Sequence, residues 1–180
     1  MNKFEPVARF CDGDKIGVRL PTRATAHSAG YDFSVSDSIV VPSIYNIMEH
    51  MDGYIAKKVP YQLKDFKSLT KSLGLRPTLV PTGVKCQLDD DKYLELSVRS
   101  STPLSAWLVL ANGVGIIDSD YYNNSDNEGE IFFQLINLSP VDIVLQPGDV
   151  IGQGIIKSYG LTDNDQASGV RAGGLGSTHE

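Results

Sequence analysis

The sequence predicts an all-β domain of sandwich, barrel or jelly-roll type, interrupted by a helical insertion. Three observations carry this. Short apolar segments alternate with a period of two, glycine- and proline-containing turns separate them, and the stretch from Ser43 to Leu73 switches to a helical period. The 180 residues, 41 % apolar and 21 % charged, suffice for one ordinary domain with an insertion and a core of its own.

Lys15–Leu20 sets Ile16, Val18 and Leu20 at strand spacing. Leu94, Leu96 and Val98 alternate in the next clear strand, and Val141, Ile143 and Leu145 in a later one. A period of two is the mark of a strand with one buried face. Ile131–Leu138 and Val150–Lys157 are more continuously apolar and predict strands buried on both faces. Gln146-Pro147-Gly148-Asp149 suits a type II turn, because proline presets one backbone angle and glycine accepts the positive one. Pro81-Thr82-Gly83 predicts another turn or bulge.

Within the insertion, Ile44, Ile47, Met48 and Met51 fall on one helical face, with Ser43 as N-cap and Gly53 as the expected stop. Leu63, Phe66, Leu69 and Leu73 form a second helical stripe between Pro60 and Gly74. Lysines 57, 58, 64, 67 and 71 make this region locally basic, which reads as a solvated face. The amphipathic stripes predict a hairpin packed on the β-core. From Thr162 onward the chain is polar, glycine-rich and without periodicity, as expected of a tail that is mobile when nothing is bound.

A net charge of −6 argues against a protein that wraps nucleic-acid backbones, though a few local cations would still serve a nucleotide. Cys11 and Cys86 lack the spacing of a zinc site or a disulfide framework, and predict thiols in a reducing compartment. No signal-type or bilayer-spanning apolar run is present, so no membrane partner and a cytoplasmic location are expected.

Three segments carry chemistry. In Asn112–Tyr121 (NGVGIIDSDY), Gly113 and Gly115 permit a tight turn and close approach to a ligand, and Asp118 stands at a strand end where a carboxylate can deprotonate water. Arg171–Thr178 (RAGGLGST) combines an arginine fork with exposed backbone N–H groups and hydroxyls, an anion-binding set. Arg99-Ser100-Ser101 is a second such cluster. Singly, each has an ordinary reading: a hairpin with a polar tip, a flexible tail, a common loop triplet.

Taken in order with Ala29-Gly30-Tyr31-Asp32 and Pro147–Gln153, these segments resemble the five motifs of the trimeric dUTPase family. The resemblance spans nearly the whole chain apart from an insertion at about 43–76, as in some phage-type members. It implies a distorted jelly-roll or β-clip subunit covering 1–180 with a flexible tail from about 162, and a homotrimer whose sites draw motifs from all three chains. It further implies hydrolysis of dUTP to dUMP and pyrophosphate, with Asp118 as general base for in-line attack of water on the α-phosphorus. Tyr121 would pack on the deoxyribose and leave no room for a 2′-hydroxyl. Asn112 and the backbone around Gly115 and Ile117 would read uracil. Arg99, Ser100, Ser101 and Gln153 would hold the α- and β-phosphates. The tail, through Arg171, Leu175, Gly176, Ser177 and Thr178, would close over the nucleotide. Mg²⁺ would ride mainly on the phosphates, with Asp32 acting on it through water.

The chain departs from that pattern at Val150, where a cation is usual, at Leu175, where phenylalanine is frequent, and at His179. The run after Tyr121 is longer than a tight hairpin, and Glu128 and Glu130 within it are expected to be solvated. Two alternatives stand beside hydrolysis. One is a dUTP-dependent regulatory protein that binds a protein partner through the insertion. The other is a dCTP deaminase, which shares the fold but needs a glutamate base near the cytosine amino group.

Overall fold

The computed structural model describes residues 1–13, 15–55, 61–171 and 173–174. In chain order the strands before the insertion are β1 (Lys3–Pro6), β2 (Cys11–Asp12), β3 (Lys15–Ile16), β4 (Thr22–Arg23), β5 (Tyr31–Ser34) and β6 (Ile39–Val41). Helices α1 (Ile44–Ile55) and α2 (Leu63–Ser72) follow. The chain then continues through β7 (Thr78–Pro81), β8 (Val84–Gln87), β9 (Lys92–Val98), the short helix α3 (Ser101–Ala106), β10 (Leu108–Leu110) and β11 (Gly115–Asp118). It ends with β12 (Phe132–Asn137), β13 (Ile143–Leu145) and β14 (Val150–Ser158).

A five-stranded sheet in the order β11-β9-β14-β5-β4 faces a three-stranded sheet, β10-β12-β7, and the ribbons β1-β8, β6-β13 and β2-β3 close the margins. Every named strand pair is antiparallel. The result is a distorted jelly roll with a helical insertion. Its core lies between the two larger sheets, where Phe33 of β5 meets Phe133 of β12 with ring centroids 5.7 Å apart. Leu94, Leu96 and Ile151 from one side and Val80, Leu108 and Leu135 from the other fill the space around them.

The continuous apolar run in β14 works through missing side chains. A Cβ on Gly152 would stand 2.1 Å from the Phe133 ring and 2.7 Å from the Ser97 carbonyl, so the ring has room only because glycine is there. Gly154 likewise admits Phe33 and Leu94. The other continuous run, β12, alternates between buried and half-buried positions instead of being buried on both faces. Gly148, at φ +95, completes the expected turn, with Asp149 N–H donating to the Gln146 carbonyl at 3.0 Å. Gly83, at φ +67, forms the expected turn between β7 and β8.

The segment Lys15–Leu20 differs from expectation. Only β3 is a strand; beyond it Val18 and Leu20 pack against the core without joining a ladder. In the insertion Ser43 does cap α1. Its hydroxyl accepts from Tyr45 N–H at 3.2 Å and donates to the Ser139 carbonyl at 2.6 Å, while Asp142 accepts from Ser43 N–H and from the Asn46 amide. Gly53 does not stop the helix, which runs to Ile55. Ile44 and Ile47 line an apolar recess of about 200 Å³ with Leu75, Pro77, Leu135 and Ile136. Helix α2 ends at Gly74, φ +66, where Leu75 N–H reaches the Thr70 carbonyl and Gly74 N–H the Lys71 carbonyl, the double closure of a Schellman ending.

The stripe of α2 does not pack on the β-core as expected. Leu63 is 70 % exposed, Phe66 stands against Tyr61, and no residue of the helix is buried. Lys64, Lys67 and Lys71 are solvated, while Lys57 and Lys58 lie outside the described residues.

The two thiols sit in opposite environments. Cys11 is exposed, and Cys86 is buried with its thiol pushed up to about 12 by loss of water. Thiolate is the reactive form. Iodoacetamide at about pH 8 is therefore expected to label Cys11 alone in the folded protein and Cys86 only after denaturant is added, read by peptide mass.

Candidate active site

Strand β11 is an edge of the five-stranded sheet. Its residues alternate strictly: Gly115 and Ile117 point into the core, and Ile116 and Asp118 point outward. A Cβ on Gly115 would sit 3.1 Å from that of Leu96, close enough that Leu96 would have to give way. Ile117 is a core residue, so only its backbone can meet a ligand. The turn before it is closed by Val114 N–H to the Asn112 carbonyl at 2.8 Å, with Gly113 at φ +73 and the Asn112 side chain exposed.

This is not the hairpin expected. Strand β10 pairs with β12 in one sheet and β11 with β9 in the other, so the turn is a corner between sheets. Asp118 consequently stands at a free edge, beside a recess of about 340 Å³ formed with Tyr93, Ile116 and Tyr159.

Tyr121, in the 3-10 turn Ser119–Tyr121, is buried. Its hydroxyl donates to the Glu130 carbonyl at 2.9 Å and accepts from the Asn127 amide at 2.8 Å. Burial raises its pKa above the ordinary phenol value, so it stays a neutral donor. Glu130 is buried rather than solvated. Its carboxylate pairs with Arg9 and accepts from Gly83 N–H at 2.9 Å. Glu128 is half-exposed and accepts from Ala8 N–H.

The tail returns to this point. Arg171 donates to Asp118 at 2.7 Å and to Asp120 at 2.8 Å, and its guanidinium stands 5.6 Å from the centre of the Tyr121 ring. Gly174 N–H donates to Asp126 at 2.7 Å. Leu175, Gly176, Ser177 and Thr178 lie outside the described residues.

The remaining site residues gather elsewhere. Asp32 on β5 lies opposite Gln153 on β14, and Arg99, just past β9, brings its Nε to 3.5 Å from Asp32. Gly30 leaves space for the Gln153 amide, whose oxygen would be 2.3 Å from a Cβ there. Ser100 and Ser101 open α3 and are exposed; the following Thr102 ties that helix to the Ile151 carbonyl at 3.3 Å.

Strand register shows that Asp118, Tyr93, Ser97, Gln153 and Asp32 share one outward face. Asp118 lies opposite Tyr93 at the start of β9, while Arg99 follows its end, roughly 20 Å away at about 3.3 Å per residue. One chain thus carries two groups of candidate residues, or half-sites, on the same face. Sequence reasoning had passed over Asp126 and Asn127 in the first of them. Their only sequence signal was the extra length after Tyr121.

The chain is 33 % identical over 177 residues to the deoxyuridine 5′-triphosphate nucleotidohydrolase of Lactococcus lactis, covering 97 % of this chain and 95 % of that one. It belongs to the dUTPase family. The crystal structure of the dUTPase from Streptococcus mutans superposes with a TM-score of 0.66 at 34 % identity, covering 89 % of this chain and 98 % of that one. A dUTPase variant from phage phi11 of S. aureus, whose structure details coordination of a structural Mg(II) ion, shares the fold at 13 % identity. Its TM-score is 0.58, with 94 % of this chain and 97 % of that one covered. No protein-family model matches the chain. As a dUTPase family member the chain is an enzyme, and among the described residues no helix is long and apolar enough to cross a membrane.

Proposed function

We propose that the chain hydrolyses dUTP to dUMP and pyrophosphate, with Asp118 as the general base. The observation that carries this is Arg171, the anion-binding residue of the tail, seated on the outward carboxylate of Asp118 beside Tyr121. Asp118 is 52 % exposed at a free sheet edge, where it can take a proton from a water in line with the α-phosphorus. The electron pair of the attacked P–O bond leaves with pyrophosphate.

Asn112 and the backbone from Gly113 to Ile117 read uracil through polar groups at the sheet corner. A site built to hydrogen-bond one base rejects another strongly, because its own groups are then left unpaired. The Tyr121 ring excludes a 2′-hydroxyl. Arg99, Ser100, Ser101 and Gln153 hold the α- and β-phosphates. Arg171, Ser177 and Thr178 take the γ-phosphate, and Leu175 covers the base.

The two half-sites fit a homotrimer in which the Arg99 end of one copy completes the Asp118 end of another. Asp32 offers a hard oxygen, which suits Mg²⁺ because that ion keeps most of its waters. Such an ion, when bound, would supply charge compensation for the phosphates. Arg99 beside Asp32 keeps that carboxylate in place.

Incubation with dUTP, dCTP, TTP and UTP plus Mg²⁺, followed by chromatography, tests the reading. Release of dUMP and pyrophosphate from dUTP alone supports it; deamination of dCTP overturns it. Binding of dUTP without turnover would instead favour a regulatory protein that acts through the insertion.

Gly30→Ala gives a milder expectation. The new methyl displaces the Gln153 amide, the far end of a flexible side chain, and crowds the Gln153 Cβ at 3.1 Å, so stability should fall by about 1 kcal/mol. KM for dUTP should rise roughly tenfold, the worth of one hydrogen bond to a charged group.

A further inference from the structure

We infer that a recess behind the segment Ala29–Asp32, separate from both half-sites, binds a nucleoside 5′-monophosphate. The recess holds about 440 Å³ and is lined by Asn2, Phe4, Arg23, Ser28, Tyr31 and Ile156. That volume lies in the range of small-ligand sites. Its apolar part is aromatic: the Phe4 and Tyr31 rings meet edge to face with centroids 5.2 Å apart, beside Ile156. Nucleobases pack on such rings whatever their sequence identity.

Arg23 supplies the charge for a phosphate. On β4 it lies directly opposite Tyr31 of β5, so the two side chains share one face of the sheet. Its Nη1 donates to the Ala26 carbonyl at 2.9 Å and to the Ser28 carbonyl at 3.0 Å. The turn that carries those carbonyls is tied within itself. Thr25 N–H donates to Ser28 Oγ at 3.2 Å, Ser28 N–H to Thr25 Oγ1 at 3.1 Å, and Ser28 Oγ to the Thr25 carbonyl at 3.0 Å. The guanidinium is therefore fixed through one nitrogen, while its Nε and Nη2 have no partner among the described residues. A fork held in this way suits the oxygens of one phosphate group. The Tyr31 hydroxyl likewise makes no hydrogen bond among the described residues. The carboxylates in contact with the β1 segment are already compensated. Glu5 is taken by Lys3 at 2.8 Å and by the Tyr122 hydroxyl, and Asp89 by the Asn2 amide and the Met1 ammonium.

Alternation along β5 keeps this recess apart from the half-sites. Tyr31 and Asp32 point to opposite faces of the sheet, so the recess lies on the side away from Asp32, Gln153 and Asp118. A nucleotide there bears on the strand that carries Asp32 without touching the proposed dUTP contacts.

The inference does not rest on the proposed hydrolysis. Calorimetry on the full chain with 5′-AMP is expected to give a Kd of about 0.1–1 mM. Adenosine and inorganic phosphate should each bind at least roughly tenfold more weakly, because each lacks one half of the contacts. Adenine is the base of choice because a site built to hydrogen-bond uracil rejects it. Saturation with a non-hydrolysable dUTP analogue should accordingly leave the affinity for AMP within about twofold. Arg23→Ala should weaken AMP binding roughly tenfold, and Arg23→Lys should recover little of it, since a point charge cannot copy the fork. Arg23→Ala also frees the Ala26 and Ser28 carbonyls, so Tyr31→Phe serves as the second variant. It removes only an unbonded hydroxyl, and should leave the melting temperature unchanged while weakening AMP about threefold. No binding at about 5 mM AMP, loss of AMP binding under the dUTP analogue, or equal affinity in the parent and both variants would each overturn the site. Phosphate that binds as tightly as AMP would overturn the nucleotide as its ligand.

Discussion

Asp118→Asn is expected to lower kcat for dUTP roughly 10³-fold, within the range that a positioned general base contributes. The amide keeps the size and one acceptor oxygen of the carboxylate but cannot take the proton from water. Ground-state binding should survive. Asp118 lies on an exposed edge, so its replacement disturbs no core packing, and Asp120 remains to hold Arg171 at 2.8 Å. Removing a negative charge near the triphosphate should leave the Kd of a non-hydrolysable dUTP analogue unchanged or tighter. Single-turnover pyrophosphate release and calorimetry with the analogue read the two quantities separately. A fall in kcat below about tenfold would put the base elsewhere. Asp120→Asn is the matched comparison, since Asp120 pairs with the same arginine but stands in the 3-10 turn after β11.

The resting contact of Arg171 bears on this result. Arg171 pairs with the carboxylate proposed as the base, and the same guanidinium is the proposed γ-phosphate ligand. On the proposed reading, binding of dUTP would exchange one anion for another on Arg171 and release Asp118. The same reading lets a chain with net charge −6 take a triphosphate through a few arginines held locally.

How far sequence reasoning reached follows from what each signal depends on. Strand β9 was legible because its alternation is local: Leu94 and Leu96 are buried, and Tyr93 and Glu95 face outward. The turn at Gly148 was legible because proline and glycine dictate backbone angles directly. Lys15–Leu20 misled because alternating burial does not require ladder bonds; Val18 and Leu20 reach the core from irregular backbone. The corner at Gly113 looked like a hairpin because a tight turn leaves the same trace whether its arms pair with each other or with different sheets. Helix α2 showed an apolar stripe, but a stripe says nothing of what covers it, and Leu63 and Phe66 stay exposed. At the site, the motifs named Asp118, Arg99 and Arg171. They did not reveal that Asp118, on β11, and Arg99, just past β9, stand at opposite ends of β9. Asn127 and Glu130 escaped because their partners, Tyr121, Arg9 and Gly83, are set by folding and not by spacing.

Glu130→Ala is expected to destabilise the fold by about 3 kcal/mol, a large effect for a single polar side chain. The carboxylate is 3 % exposed and satisfies groups on two elements, which Val7 N–H to the Gly83 carbonyl at 2.9 Å also joins. One is Gly83 N–H, in a turn so closely packed that a Cβ there would stand 2.7 Å from Phe10 and from Val18. Water cannot replace the lost acceptor, so that donor is left buried and unpaired, at a cost of about 1–3 kcal/mol. The other is Arg9, held through both terminal nitrogens, which brings the segment after β1 onto the site loop. Arg9 is 48 % exposed and keeps Asp37 at 3.2 Å, so this part of the loss is discounted for solvent. Glu130→Gln retains an acceptor for Gly83 and should cost about half as much. Urea unfolding at one fixed protein concentration measures both, since any assembly would otherwise shift the midpoint. The ordering is the decisive part. Equal losses for alanine and glutamine would mean that the charge pairing with Arg9 is what matters, and a loss for alanine below about 1 kcal/mol would mean that the turn finds another acceptor. The Glu130 backbone carbonyl, which holds the Tyr121 hydroxyl, is retained in both variants. Their selectivity for dUTP over UTP should therefore stay within about threefold of the parent even as stability falls.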